Sequence, residues 1–193
     1  MASQRPVVVG FDFSASGEVA LDRAVQLASR APEHVLHVVC VIDPKHAIPS
    51  IPPSGDIDYL YAAQVQEALA AVVHAALERG HVTARVGFFV HARMNKNAAD
   101  EILDLAREVG AELVVVGSHG LTGLERLVLG SVSEKIVREA HCSVEVARPT
   151  TYPEVDLMTV VEVPGRDHTY VPPHRYEYED HRVLLRPNDW PLY

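Results

Sequence analysis

The stretch of this chain with the most chemistry in it begins at residue 117. It reads Gly-Ser-His-Gly-Leu-Thr-Gly-Leu-Glu-Arg-Leu-Val-Leu-Gly-Ser-Val-Ser-Glu, ending at Glu134. An apolar run, Leu113 to Val116, precedes it, and a helical pattern starts at its far end. Glycines let a backbone approach a ligand that any Cβ would hold away. The first turn of a helix offers N–H groups with no intrahelical acceptor, at the positive end of the helix dipole. Gly117, Gly120 and Gly130, with Ser131 opening the helix, therefore suit a phosphate or a similar anion. Plainer readings stand beside this one. Ser131 and Glu134 also match S-x-x-E, a capping box that satisfies a helix start internally and contributes about 1 kcal/mol. His119 is either a solvated loop residue or a hydrogen-bond donor to the anion. Arg126 is either a phosphate ligand or the partner of its neighbour Glu125.

Such a loop works only if strands and helices hold it in place. Residues 5–12 form a short apolar run, read as a first strand with Asp12 at its end. A helical face follows, carried by Val19, Leu21, Ala24, Val25, Leu27 and Ala28. A second strand spans 35–42 and closes at Asp43-Pro44. A Pro/Ser/Gly-rich loop then leads to a long helix over 58–79, stopped by Gly80. The third strand is expected over Val82–Val90. The third helix covers Ala98–Val109, with Asn97 as its N-cap and Gly110 as its stop. Glu112–Gly117, a helix over Ser131–Ala140 and a short strand over 143–148 complete the series. Strands that are apolar throughout and alternate with helices imply a parallel sheet covered on both faces. The expected fold is α/β, a doubly wound five-stranded parallel sheet of order 3-2-1-4-5 with helices on both faces. Ligands of such sheets bind beyond the carboxyl ends of the strands, where the strand order reverses. That point lies between the first and fourth strands, so Asp12 and Gly117 should face each other across it.

At these residues the chain resembles the nucleotide-binding branch of the universal stress protein family. The family pattern Gly-x2-Gly-x9-Gly-Ser/Thr is met by Gly117, Gly120, Gly130 and Ser131. The resemblance covers about residues 5–148 and includes Val-Gly-Phe-Asp12-Phe-Ser14, Val38–Asp43 and Ala111-Glu-Leu-Val-Val-Val-Gly-Ser-His-Gly. Two departures occur. Lys96-Asn97-Ala98 stands where the family often has Gly-x-Pro, and Ser143-Val-Glu145-Val-Ala replaces an apolar Pro-Val-Leu-Val-Val strand. The resemblance implies that Asp12 meets the nucleoside and that the Val41 backbone holds the adenine edge. It puts Gly117, His119 and Gly120 along the ribose and phosphates, and Gly130, Ser131, Val132 and Ser133 on phosphate oxygens. It implies ATP, or ADP or AMP, as ligand, with Mg²⁺ carried on the phosphates. It also implies a homodimer paired along residues 143–148, where Glu145 would bring like charges together across the two-fold axis.

Composition narrows the alternatives. Lys+Arg 17 against Asp+Glu 26 gives a net charge of −9, which argues against a partner held by its phosphate backbone, such as duplex DNA. No stretch reads as the roughly 18 apolar residues of a membrane span, and the start has no signal-peptide profile, so a cytoplasmic protein without a membrane partner is expected. Cys40 and Cys142 sit in apolar runs as reduced thiols. The 11 histidines form no H-x-x-x-H pair or Cys/His cluster, so no metal site and no catalytic residue is assigned. Residues 149–193 hold 7 of the 13 prolines and 5 of the 7 tyrosines, a composition too Pro-rich for a core of its own. This segment is read as an extended arm, with extended stretches at 155–163 and 176–186, and not as a domain. The Lys of a P-loop and the S-G-G-x-D-S of PP-loop enzymes are both missing. The leading expectation is an ATP-binding regulatory protein of the stress response. A slow ATPase and a nucleotide-free interaction protein are the alternatives.

Overall fold

The computed structural model describes residues 4–119, 129–149 and the short strands at 178–179 and 182–183. Its elements follow one another as β1 (Arg5–Gly10), α1 (Ala15–Arg30), β2 (His34–Ile42), α2 (Tyr59–Arg79), β3 (Gly87–Met94), α3 (Ala98–Val109), β4 (Leu113–Gly117), α4 (Ser131–Glu139) and β5 (Ser143–Ala147). All five strands are parallel, in the order β3-β2-β1-β4-β5. The expected fold class and strand order are borne out. In the second unit, β6 (Tyr178–Glu179) and β7 (Arg182–Val183) pair antiparallel; the rest of the expected extended stretches at 155–163 and 176–186 lies outside the described residues. The chain divides into compact units at residues 1–151 and 152–193.

The order follows from the hydrophobic pattern. Val7, Val8 and Val9 of β1 are fully buried, each worth roughly 1.5–3 kcal/mol relative to exposure. Side chains alternate along a strand, so Val7 and Val9 join one core and Val8 the other. The first core is closed by α1 and α2 through Leu21, Val25, Leu69 and Val73. The second is closed by α3 and α4 through Ile102, Leu103 and Ile136. With right-handed crossovers, the first two helices wind the chain outward to β3 on one face. The chain then returns on the other face to β4, beside β1. The resulting reversal opens a gap between the ends of β1 and β4.

Three expectations are corrected. The third strand lies at Gly87–Met94, not Val82–Val90, because an edge strand has one neighbour and tolerates His91 and Arg93. Val82 packs against the first core from the connection before it. β1 ends at Gly10, two residues short of Asp12, because the chain turns there into α1. The helix α2 is long and apolar enough, by length and composition, to cross a membrane. In this fold it packs one stripe, Tyr61, Val65, Leu69, Val73 and Ala76, into the first core.

Candidate binding cleft at the switch point

A cleft of about 280 Å³ opens beyond the ends of β1 and β4. Asp12, Val41, Gly117, His119, Gly130, Ser131, Val132 and Ser133 all line it. The ninth residue chosen from sequence, Gly120, lies outside the described residues, as does Arg126.

On the β1 side, Asp12 shapes the entry to α1. Its Oδ1 accepts from the Ser14 N–H at 3.1 Å and from the Ser14 hydroxyl at 2.5 Å. Ser14 in turn is the N-cap, its Oγ accepting from the Gly17 N–H at 3.0 Å. Asp12 thus holds the cap without being it, and its Oδ2 has no partner among the described residues. The turn needs Phe13 at φ 61°, an outlier for a bulky side chain. An edge-on contact with Phe11, ring centroids 5.0 Å apart, packs against it. Gly17 is required by proximity, since a Cβ there would lie 2.8 Å from Asp12 Oδ1.

The β2 side presents backbone. Gly10, the last residue of β1, sits opposite Val39, and the Phe11 N–H donates to the Val39 carbonyl at 2.9 Å. Backbone groups alternate in direction along a strand. Asn95 N–H accordingly meets the Ile42 carbonyl on the β3 side. Val41, two residues beyond Val39, therefore turns its N–H and carbonyl toward β1, past the point where β1 has ended. Ala98 and Ile102 of α3 supply an apolar wall.

On the β4 side the start of α4 is latched to the end of the strand. The Gly130 N–H donates to the Ser118 carbonyl at 2.9 Å, and the buried Ser133 hydroxyl donates to the Gly117 carbonyl at 2.6 Å. These two bonds stand where the alternative reading put a capping box. Gly130, not Ser131, is the N-cap, and no side chain caps the helix. Glu134 N–H makes the first helical bond, to the Gly130 carbonyl at 2.8 Å. Among the described residues nothing accepts from the N–H groups of Ser131, Val132 and Ser133. Gly130 therefore offers close approach rather than a donor, and Ser133 its N–H rather than its hydroxyl proton. Gly117 has no room for a side chain, because a Cβ would lie 2.6 Å from both the Ser16 carbonyl oxygen and Ser16 Oγ.

His119 is held at two points and leaves a third polar atom unpartnered. Its N–H donates to Ser16 Oγ at 3.2 Å, its Nδ1 lies 2.9 Å from Ser118 Oγ, and its Nε2 is buried without a partner among the described residues. Sequence reasoning missed Ser16 and Ser118, whose roles depend on contacts that no motif announces. Among the described residues no Lys or Arg lines the cleft, and Asp12 is its one charged side chain. Lys135, one turn into α4, pairs with Asp100 instead. What the described residues offer an anion here is dipoles and N–H groups. Burial, and next the charge of Asp12, push the Cys40 thiol up to about 12, which makes it an inert core residue. The described residues contain no cluster of three metal-binding side chains.

A doubly wound parallel sheet with an uncapped helix start and free strand backbone at its switch point defines an α/β protein of the class whose small ligands bind at that point. The sequence pattern of the Universal stress protein family matches residues 4–148, and this chain belongs to that family. It is 32% identical over 148 residues to a universal stress protein of Methanocaldococcus jannaschii, covering 75% of this chain and 82% of that one. The fold is shared with the UspA structure from Lactobacillus plantarum, at a TM-score of 0.59 and 23% identity, over 77% of this chain and 100% of that one. A universal stress protein solved in complex with cAMP superposes with a TM-score of 0.51 at 25% identity, over 76% of this chain and 98% of its own.

Proposed function

We propose that this cleft binds an adenine nucleotide, ATP or its shorter forms ADP and AMP, and that the bound nucleotide regulates the protein's shape or choice of partner. The observation that carries the reading is the uncapped start of α4, with the N–H groups of Ser131, Val132 and Ser133 open beside Gly117 and Gly130. Three N–H groups at a helix start suit phosphate oxygens. The Val41 N–H and carbonyl form an adjacent donor and acceptor, which suits adenine N1 and its amino group. Asp12 repels phosphate, so its carboxylate belongs with the ribose hydroxyls or the base. A universal stress protein in complex with cAMP supports adenylate as the ligand class. Mg²⁺ would ride on the phosphates, since the described residues offer no cage for it. The nucleotide acts as a switch through residues 118–129, which connect the two sides of the phosphate site. In this reading the protein is cytoplasmic and forms a homodimer along β5. Arg23 of α1 pairs with Glu145 there, which removes the like-charge objection to such an edge.

The test is chromatography of nucleotide released from the acid-denatured protein, with Gly130→Asp alongside. Gly130 has φ −61° and ψ 147°, which any residue adopts, and Asp is a favoured N-cap. The variant should therefore fold at least as well while its carboxylate takes the anion's place. Adenine nucleotide in the native protein and none in the variant is the expected result. An empty native protein that also fails to bind added Mg·ATP would refute the reading. The ratio of ATP to ADP reports any hydrolysis.

A further inference from the structure

We propose that Ser118 is a positioning residue: its hydroxyl donates to His119 Nδ1, which fixes the imidazole as the Nε2–H tautomer and gives the cleft a side-chain donor for a phosphoryl oxygen. The proposal rests on the nucleotide reading above for the identity of the acceptor, and on this chain's hydrogen bonds for everything else. Ser118 is 3% exposed, and its N–H and carbonyl are both used, by the Ala147 carbonyl and the Gly130 N–H. Its Oγ has one partner among the described residues, His119 Nδ1 at 2.9 Å.

That contact can run in two directions. If Nδ1–H donated to Ser118 Oγ, the buried serine proton would have no acceptor among the described residues, and Nε2, on a residue that lines the cleft, would be a bare buried lone pair. A buried hydroxyl proton left without an acceptor loses its water partner and gains nothing in exchange. In the other direction the hydroxyl proton goes to Nδ1, and the serine is satisfied. The ring then carries its own proton on Nε2, which is buried and without a partner among the described residues. The tautomer of a histidine is set by the bond its other nitrogen makes. The backbone that carries the ring is anchored by its N–H, which donates to Ser16 Oγ at 3.2 Å, and the bond to Ser118 is the one that orients the ring itself. Of the polar groups that line the cleft at β4 and α4, the Gly130 N–H and the Ser133 hydroxyl already have acceptors. An N–H at Nε2 joins the three open N–H groups of α4, and the described lining of the cleft, which includes no Lys or Arg, gains a side-chain donor.

The proton is read directly by ¹⁵N–¹H correlation spectra of the full chain labelled at its histidine ring nitrogens, at pH 8 and without nucleotide. The expected result is a pyrrole-like Nε2 and a pyridine-like Nδ1 for His119, identified by its loss in His119→Gln. In Ser118→Ala the bias should disappear, and Mg·ATP should bind about tenfold more weakly while adenosine changes less than twofold. A merely structural role for Ser118 would weaken ATP and adenosine alike and leave the tautomer as it was, and that result overturns the proposal. A native protein with its proton on Nδ1 also overturns it, and needs no variant to be read. Binding of Mg·ATP that leaves His119 Nε2 unshifted removes the phosphoryl acceptor and overturns it as well. Because the tautomer is measured in the free protein, failure to bind nucleotide is a separate result that refutes the ligand and not the serine–histidine bond.

Discussion

Replacing Gly117 by Ala should damage the molecule more than replacing any other glycine among those whose surroundings are described, and the reason is what the new methyl meets. Its Cβ would lie 2.6 Å from the Ser16 carbonyl oxygen, 2.6 Å from Ser16 Oγ and 2.7 Å from the Ser16 carbonyl carbon. Two of those three atoms are backbone in the first turn of α1, which cannot rotate away. Either α1 shifts outward or β4 loses its pairing of Gly117 with Ala147. Overpacking of this kind costs about 1–3 kcal/mol, and the backbone contact puts Gly117→Ala at the upper end. For a chain of this size that corresponds to a drop in Tm of roughly 6–12 °C.

Other glycines calibrate that number. At Gly10 the closest atom is Ile102 Cδ1 at 2.9 Å, the end of a flexible side chain, so Gly10→Ala should cost about half as much. Gly110 has open space but a φ of +65°, so its Ala variant measures the backbone term alone, about 1 kcal/mol. Gly55 meets nothing within 4 Å and should be neutral. Calorimetry or urea titration of the four variants gives the ranking. Gly117→Ala within about 2 °C of the native Tm, or no worse than Gly110→Ala, would refute the argument from close approach. The displaced Ser16 also carries the His119 N–H, so the variant should lose ligand affinity beyond its loss of stability.

Two further outcomes follow from buried titratable groups. On β2 and β3, His37 Nδ1 and His91 Nε2 lie 3.1 Å apart, one donating and one accepting, with both rings neutral. Burial, then the neighbouring His37 and Arg93, hold His91 down to about 4 against the pull of Glu108, and burial lowers His37. The unfolded chain therefore binds more protons below pH 6.5, so stability is full above that value and falls as pH drops toward 4. The ring of His91 is only half buried, so screening limits the loss to about 1 kcal/mol. Urea midpoints at pH 7.5 and 5 should show His91→Gln losing less than the native protein on acidification, and equal losses would count against the pair. Thiol chemistry should divide the cysteines. At pH 8 iodoacetamide should spare Cys40 in the folded protein, while the less buried Cys142 reacts slowly and both react in urea. Equal native rates by peptide mapping would contradict the buried assignment of Cys40.

The fold was legible because its strands are buried on both faces and so are apolar without interruption, and because helices with an apolar face lie between them. Legibility fails where a strand has one neighbour. The half-polar Phe-Phe-Val-His-Ala-Arg of β3 reads as a strand only once β2 is beside it. In the cleft, a glycine spacing tied to a strand end and a helix start brought out the residues at the end of β4 and the start of α4, while Val41 came from the family resemblance and Asp12 from that resemblance and its place at the switch point. What the spacing could not carry was the use of each hydrogen. The Ser133 hydroxyl and Gly130 N–H look open in sequence, and they are closed by carbonyls of the strand before them. Ser118 and Ser16 look like filler and orient the histidine.

The same limit governs the edge of the sheet. Read alone, Glu145 in β5 is a liability, since identical carboxylates meeting across a two-fold axis repel. Arg23, 122 residues earlier, donates from Nε to its Oε1. Sequence offered no sign of it, because the partner is brought there by the packing of α1 on the sheet. With both side chains about a third exposed, the pair adds at most about 1 kcal/mol to stability. Its larger effect is on charge. β5 presents a paired carboxylate at its centre rather than a bare one, so a second strand laid along it meets an ion pair. Arg23→Ala should therefore weaken any self-association far more than it weakens the fold, a difference that light scattering and urea unfolding of one variant separate. Equal losses in both would mean that Arg23 only packs α1 against β5.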